Sequence, residues 1–341
     1  MATNSFNHPV SSSMRIYSKA LCFATLFLIF LGGLVKSTES GLSVPDWPTT
    51  YGYFMFSFPL DQMVGGIKYE HTHRLVASIV GLMTLILTIW LLRSSVASWI
   101  KKLGVAAFLT VVAQGVFGGL TVLFHLPVWT SSLHGTLAQT FFLITIMISY
   151  GLSKEAQSRI QEDKKDFNGQ FIKMAIIFAG MVFIQLIIGN IMRHSEAGLA
   201  VPDFQTMGGR LIPTFDKAML DRINTWCFEH DRDMVTMGQV HIHLLHRFWA
   251  LLILLKLIYI NMLAYKNLLN KPLILKSLFI LNAVVLIQIM LGIGTVLSMK
   301  EVYTTTLHVT LGAIVLAISF LLILRSAPVK WQVYKTVIKK T

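Results

Sequence analysis

The sequence predicts an all-α polytopic membrane protein with eight transmembrane helices, arranged as two pseudo-symmetric four-helix bundles. Three observations lead there. Of 341 residues, 54% are hydrophobic and only 13% charged, with a mean hydropathy of +0.65. A soluble domain carries roughly 25% charged residues. The apolar residues also gather into eight runs, each near the ~20 residues that a spanning helix needs. Finally, the last four runs repeat landmarks of the first four. Two cysteines cannot build a disulfide framework. A net charge of +13 would suggest nucleic acid in a soluble protein. Here the basic residues concentrate in loops on one side of the membrane, and no nucleic-acid partner is expected.

The spans are read at 16–35, 72–92, 103–123, 132–152, 171–192, 241–264, 273–298 and 304–325. The first follows Arg15 and Lys19 and has the look of a signal peptide. The internal repeat argues that it is retained. GLSVPDWPT at 41–49 returns as GLAVPDFQT at 198–206, and GGLVKSTES upstream of the first matches GNIMRHSEA upstream of the second. A segment with an internal counterpart is expected to be a span in both halves.

The second to fourth spans repeat as the sixth to eighth. His73-Arg74 returns as His246-Arg247, QGVFGGLTVL at 114–123 as QIMLGIGTVL at 288–297, and His134 as His308. Gly115, Gly118, Gly119, Gly292 and Gly294 in the third and seventh spans allow close helix approach. The expected organisation is an N-terminal half at 1–152, a charged linker at 153–170 and a C-terminal half at 171–341. Parallel repeats imply a pseudo-two-fold axis along the membrane normal.

Lys and Arg set the orientation. Segments on the side of the termini and linker hold 18 of the 29 basic residues, and the opposite segments hold eight despite containing the longest loops. The positive-inside rule then places both termini in the cytoplasm. The tail before Arg15 lacks the Arg-rich character of a mitochondrial leader, so a bacterial plasma membrane is expected.

His73, His134, His246 and His308 sit at repeat-equivalent positions, at the same ends of the second, fourth, sixth and eighth spans. A lone histidine at a helix end is usually an interfacial hydrogen-bonding group. Four at matching depths in a duplicated bundle argue for ligands, since ionisable residues inside spans are costly and mark function. Each half offers one opposed pair, which suits axial ligation of haem iron between helices. Zinc fits less well, because its sites take three or four close protein ligands. His71 lies about 200° around the helix from His73 and cannot share its face. His243 precedes His246 by three residues and aligns with Glu70, while His125, His194 and His230 lie in the outer region without repeat partners. His8 falls in a polar tail.

The duplication breaks at that aligned pair. The first half reads Glu70-His71-Thr72-His73-Arg74, and the second His243-Leu244-Leu245-His246-Arg247. Glu70 stands one turn from His73 on the same face. It either orients the histidine and pairs with Arg74, or transfers protons in one half only. Arg74 and Arg247 suit bidentate contacts with haem propionates, and snorkelling to the interface is an equal alternative.

These motifs, in this order, resemble the haem A synthases across about residues 16–325. The resemblance implies oxidation of the C8 methyl of haem O to a formyl group, giving haem A for terminal oxidases. It implies that His73 and His134 hold the substrate haem O, that His246 and His308 hold a haem b cofactor, and that Glu70 is the catalytic carboxylate. The lipid bilayer, haem O, an electron donor, haem O synthase and oxidase assembly factors are the implied partners. One departure is plain: many bacterial members carry cysteine pairs in the outer loops, whereas those loops here hold only Cys227, with Cys22 in the first span. A relay through a cysteine pair in the first outer loop is therefore not expected. Two other functions compete. A dihaem b-type cytochrome would use four histidines but gives no reason for Glu70 in one half. A transporter would use parallel repeats but needs no fully ligated irons.

Overall fold

In a computed structural model that describes residues 10–162 and 167–329, every described element is helix, turn or loop apart from one isolated bridge between Thr50 and Tyr53. Eight helices are long and apolar enough to cross a membrane. In chain order they are α1 (Ser12–Ser37), α2 (Gly65–Arg93), α3 (Ser98–Leu123), α4 (Val128–Gly151), α6 (Gly169–His194), α8 (Met237–Asn267), α9 (Pro272–Leu297) and α10 (Val302–Ser326). Two shorter helices complete the set: α5 (Lys154–Ser158) in the linker and α7 (Lys217–Glu229) in the long loop before α8. All eight expected spans are present. His8 and both chain ends lie outside the described residues.

Several helices run beyond the apolar stretches because polar side chains extend them. Thr236 and Gln239 form a reciprocal capping box that starts α8, each accepting from the other's backbone N–H. Asn168 caps α6 and Glu301 caps α10 through backbone N–H donors in the first turn. The first turns of α2 carry Lys68, Glu70 and His71, which no hydropathy window counts as span.

Inside the helices, hydroxyls return their hydrogen bonds to carbonyls one turn back, as an apolar medium demands. Thr84 donates to Val80 O at 2.7 Å, and Thr88 to both Thr84 O at 2.8 Å and Gly104 O of α3 at 2.9 Å. The last bond clips α2 to α3, where Gly104 lets Leu91 come close.

Apolar burial falls into three clusters. One is built from α1–α4 around Leu21, Leu87, Leu91 and Ile148. A second centres on α6, α8, α9 and α10, with Phe171, Phe178, Ile260 and Leu281 fully buried. The third joins α7 to the loop after α6 through Val201, Met219, Ile223 and Cys227. Between the first two, α1 packs on α10, α4 on α6, and α4 on α10. Small residues make the first two approaches possible: Gly33 lies against Thr306 and Gly135 against Asn190, while Gly312 packs α10 on Leu186 of α6 within the second cluster. Thr306 also donates to Ser37 Oγ at 3.0 Å. By contrast α8 touches α9 only sparsely, with Asn261 and Asn282 exchanging amide hydrogen bonds at 2.9 Å.

The linker docks on the end of α10. Arg325 grips Glu155 through two bonds of 2.9 and 2.8 Å, and Arg159 donates to Leu324 O at 2.9 Å and to the Tyr150 hydroxyl at 2.7 Å.

Candidate functional site

Each of the four repeat-related histidines occupies the same kind of seat. The ring of His73 on α2 packs on Gly32 of α1, and that of His134 on α4 packs on Gly118 of α3. His246 on α8 packs on Gly189 of α6, and His308 on α10 on Gly292 of α9. A Cβ at any of these glycines would stand 3.0–3.2 Å from the imidazole Cε1. Glycine is therefore required for the ring to lie against the neighbouring backbone. All four Nδ1 atoms are buried, and the rings of His73, His134 and His308 have backbone acceptors within reach at Leu28, Gln114 and Gln288.

His246 and His308 open into one cavity of about 1180 Å³, which Arg193, Arg247 and Gln288 also line. That volume exceeds the ~300–1,000 Å³ of ordinary small-molecule sites. Its walls are mainly aliphatic. Among the described residues no three His, Cys, Asp or Glu side chains cluster closely enough to hold a bare ion. Two imidazoles per half fit a metal that brings its own equatorial ligands, as a porphyrin does.

The arginines and loops follow a second repeated pattern. Arg74 donates from Nη2 to Val44 O and from Nη1 to Asp46 O, both at 2.6 Å, and from Nη1 to Thr49 O at 3.1 Å. Arg247 donates to Val201 O and Asp203 O, both at 2.7 Å. Each arginine thus ties the VPD loop of its own half to the helix carrying the histidine. The aspartates close the loops from within: Asp46 accepts from Thr49 Oγ1 at 2.5 Å, Tyr51 N at 2.8 Å and Gly52 N at 2.9 Å. Asp203 accepts from Thr206 Oγ1, Gly208 N and Gly209 N. Burial pushes both carboxyls up, but these donors outweigh it and hold each below the usual carboxylate range.

Glu70 is buried, at 3% exposure. Its Oε1 accepts from Arg74 Nη2 at 2.6 Å and its Oε2 from Val44 N at 2.7 Å. At the equivalent place His243, also 3% exposed, hydrogen-bonds Ala197 O through Nδ1 at 2.9 Å. The carboxylate and its substitute both reach the loop, yet only the first supplies a negative charge to the arginine. His71 bonds Thr50 Oγ1 at 3.0 Å and lies under Phe58, which makes it a loop anchor. Cys22 and Cys227 are free thiols, and burial pushes the Cys227 thiol up.

Sequence reasoning missed two parts of this site. The roles of Gly32 and Gly189 as histidine seats were hidden, because only the glycines of the third and seventh spans stood out as a pattern. Arg193 was also overlooked, although GGLVKS and GNIMRHS already align it with Lys36, four residues beyond those two glycines.

Fold and site together define a polytopic membrane protein with two histidine pairs, each pair fixed on glycine seats. Compared with known proteins, the chain matches the cytochrome oxidase assembly protein family over residues 15–63 and 53–320, and it belongs to that family. It is similar to the heme A synthase of Geobacillus kaustophilus, 26% identical over 93% of this chain and 94% of the relative. The heme A synthases of Pelagibacter ubique and Rickettsia bellii are 27% and 24% identical, over 92% and 87% of this chain and 98% and 93% of their own lengths.

Proposed function

We propose that the chain is a haem A synthase, an oxidoreductase that converts the C8 methyl group of haem O to the formyl group of haem A for terminal oxidases. The observation that carries this reading is the fourfold histidine–glycine seat with a carboxylate, Glu70, beside one pair only. Two similar sites that differ by one ionisable group suit one reactive site and one electron-transfer site. Relatives that carry the name heme A synthase span nearly the whole chain.

In this reading residues 1–152 form the substrate half and 171–341 the cofactor half, joined by the linker 153–170. The matching packing of α1 on α10 and of α6 on α4 supports a pseudo-two-fold relation between them. His73 and His134 hold haem O, and His246 and His308 hold haem b. When bound, a haem held by His246 and His308 would supply one-electron transfer. The protein's own part is positional. The glycine seats fix the imidazoles, and Arg74 and Arg247 clamp the loops that roof each pair. Glu70 holds or releases a proton beside His73, for which one carboxylate oxygen must leave Arg74 or Val44 N. Arg247 also lines the cavity, and the propionate role of both arginines rests on whether they keep their loop carbonyls.

The loops at 38–64 and 195–236 face the outside of a bacterial plasma membrane, and the linker and both termini face the cytoplasm, an orientation that the distribution of basic residues supports. An electron donor, haem O synthase and oxidase assembly factors complete the pathway of supply and use.

Pigment extraction from the purified protein tests the reading. Haem b together with haem O or haem A is expected. Haem b alone would support a dihaem cytochrome instead, and no haem would support a transporter.

A further inference from the structure

Arg193 has no role in anything derived above, yet its position is unusual. It lies four residues beyond Gly189, so the face of α6 that seats His246 presents Arg193 one turn nearer the loop end. The residue lines the 1180 Å³ cavity. Its Nη2 donates to two neutral acceptors on α1, Gly33 O at 2.6 Å and Ser37 Oγ at 2.9 Å. Among the described residues its Nη1 and Nε make no hydrogen bond and it forms no ion pair. The nearby cations are differently placed. Lys36 and Lys300 both pair with Glu196, and Arg247 spends both terminal nitrogens on loop carbonyls.

The nearest carboxylate, Glu196, is taken up by Lys36 and Lys300, so a guanidinium held by one nitrogen lines the cavity with donors to spare for a carboxylate of its own. Arg presents parallel N–H donors that match a carboxylate bidentately, and a buried guanidinium whose nearest carboxylate is shared with two lysines gains from a partner of its own. The two bonds to α1 fix the fork in advance, so little side-chain entropy remains to be lost on binding.

We propose that Arg193 binds a propionate carboxylate of the ring seated between His246 and His308, and that it, more than Arg74 or Arg247, sets the orientation of that ring. This rests on the reading that the C-terminal cavity takes a haem. The same bonds tie the receptor to Gly33, the neighbour of the Gly32 that seats His73. The carboxylate contact in one half is thereby built directly onto the histidine seat of the other.

The test compares haem b with its dimethyl ester, which keeps the iron and ring but removes both carboxylates. Binding is followed by absorbance in the full-length protein carrying His73→Ala and His134→Ala, so that only the C-terminal pair ligates. A charge-assisted hydrogen bond predicts that the parent binds the free acid roughly 10- to 100-fold more tightly than the ester. With Arg193→Gln added, that preference should fall to a few-fold, while the ester binds as it does to the parent. Arg193→Lys should restore part of the preference, since it keeps the charge without the fork. An unchanged preference in Arg193→Gln overturns the proposal. Equal weakening of acid and ester, without loss of preference, also overturns it and leaves Arg193 as a helix clip. Binding of neither ring by the parent overturns the haem assignment, and the proposal falls with it.

Discussion

Arg74 touches more of the first site than any histidine does, since its guanidinium joins three loop carbonyls to Glu70. Those contacts decide what Glu70→Gln should do. The amide offers one acceptor where two donors, Arg74 Nη2 and Val44 N, now find one each. One donor must face an NH₂ group, and the buried arginine loses its counter-charge. The variant should therefore lose both haem A formation and about 1–3 kcal/mol of stability, read by product analysis and by thermal unfolding. Unchanged stability with lost product would leave proton transfer as the sole role; unchanged product would remove Glu70 from the chemistry. Asp46 gives a pH prediction from the same loop. Its carboxyl is held below the ordinary aspartate value of 3.8, so the stabilisation is complete above that value and is lost as pH falls through the lower folded pKa. Asp46→Asn should cost about 1 kcal/mol at pH 7, and the difference from the parent should shrink below about pH 4.

At the scale of the helix, the glycine seats are the features most open to trial. Gly189→Val puts a branched side chain where the Cβ alone would stand 3.2 Å from the His246 ring. The ring must move or rotate, and the haem b absorbance of the purified protein should fall to less than half. Gly180, on the same helix, has no atom within 4 Å of its would-be Cβ. Gly180→Val therefore makes an internal control, and it should leave the spectrum intact at a helix-propensity effect of only ~0.5 kcal/mol. Equal spectra for both variants would detach the seat from ligation. The seats also show where sequence legibility ends. Apolar runs and repeated histidines place the helices and rank the ligand candidates, because hydropathy and repeat offset are one-dimensional properties. Which glycine faces which imidazole depends on helix rotation, and that is decided by packing between segments far apart in the chain. For the same reason the loop-clamping task of Arg74 and Arg247, and the existence of α7, were not legible in advance. Their hydrogen-bond partners lie 25 to 46 residues away.

For the whole molecule, the eight spans and the four paired histidines were readable from sequence, whereas the cavity and the unequal contact of α2–α3 and α8–α9 were not. Orientation is tested by reporter fusions. Those after Leu92, Gly151 and Tyr265 should report cytoplasm, and those after Asp61, Pro127 and Asp216 the outside. A reversed pattern would invert the assignment of loops and linker. The central claim, however, is chemical. Cells that make haem O but lack any other means of converting it should be supplied with this chain, and their extracted haems separated. Haem A synthase activity predicts that haem A appears with the unaltered chain, and that it is absent or sharply reduced with His73→Ala, whose C-terminal haem b spectrum persists. Haem O remaining unconverted, in membranes where the unaltered protein is present and loaded with haem b, would contradict it.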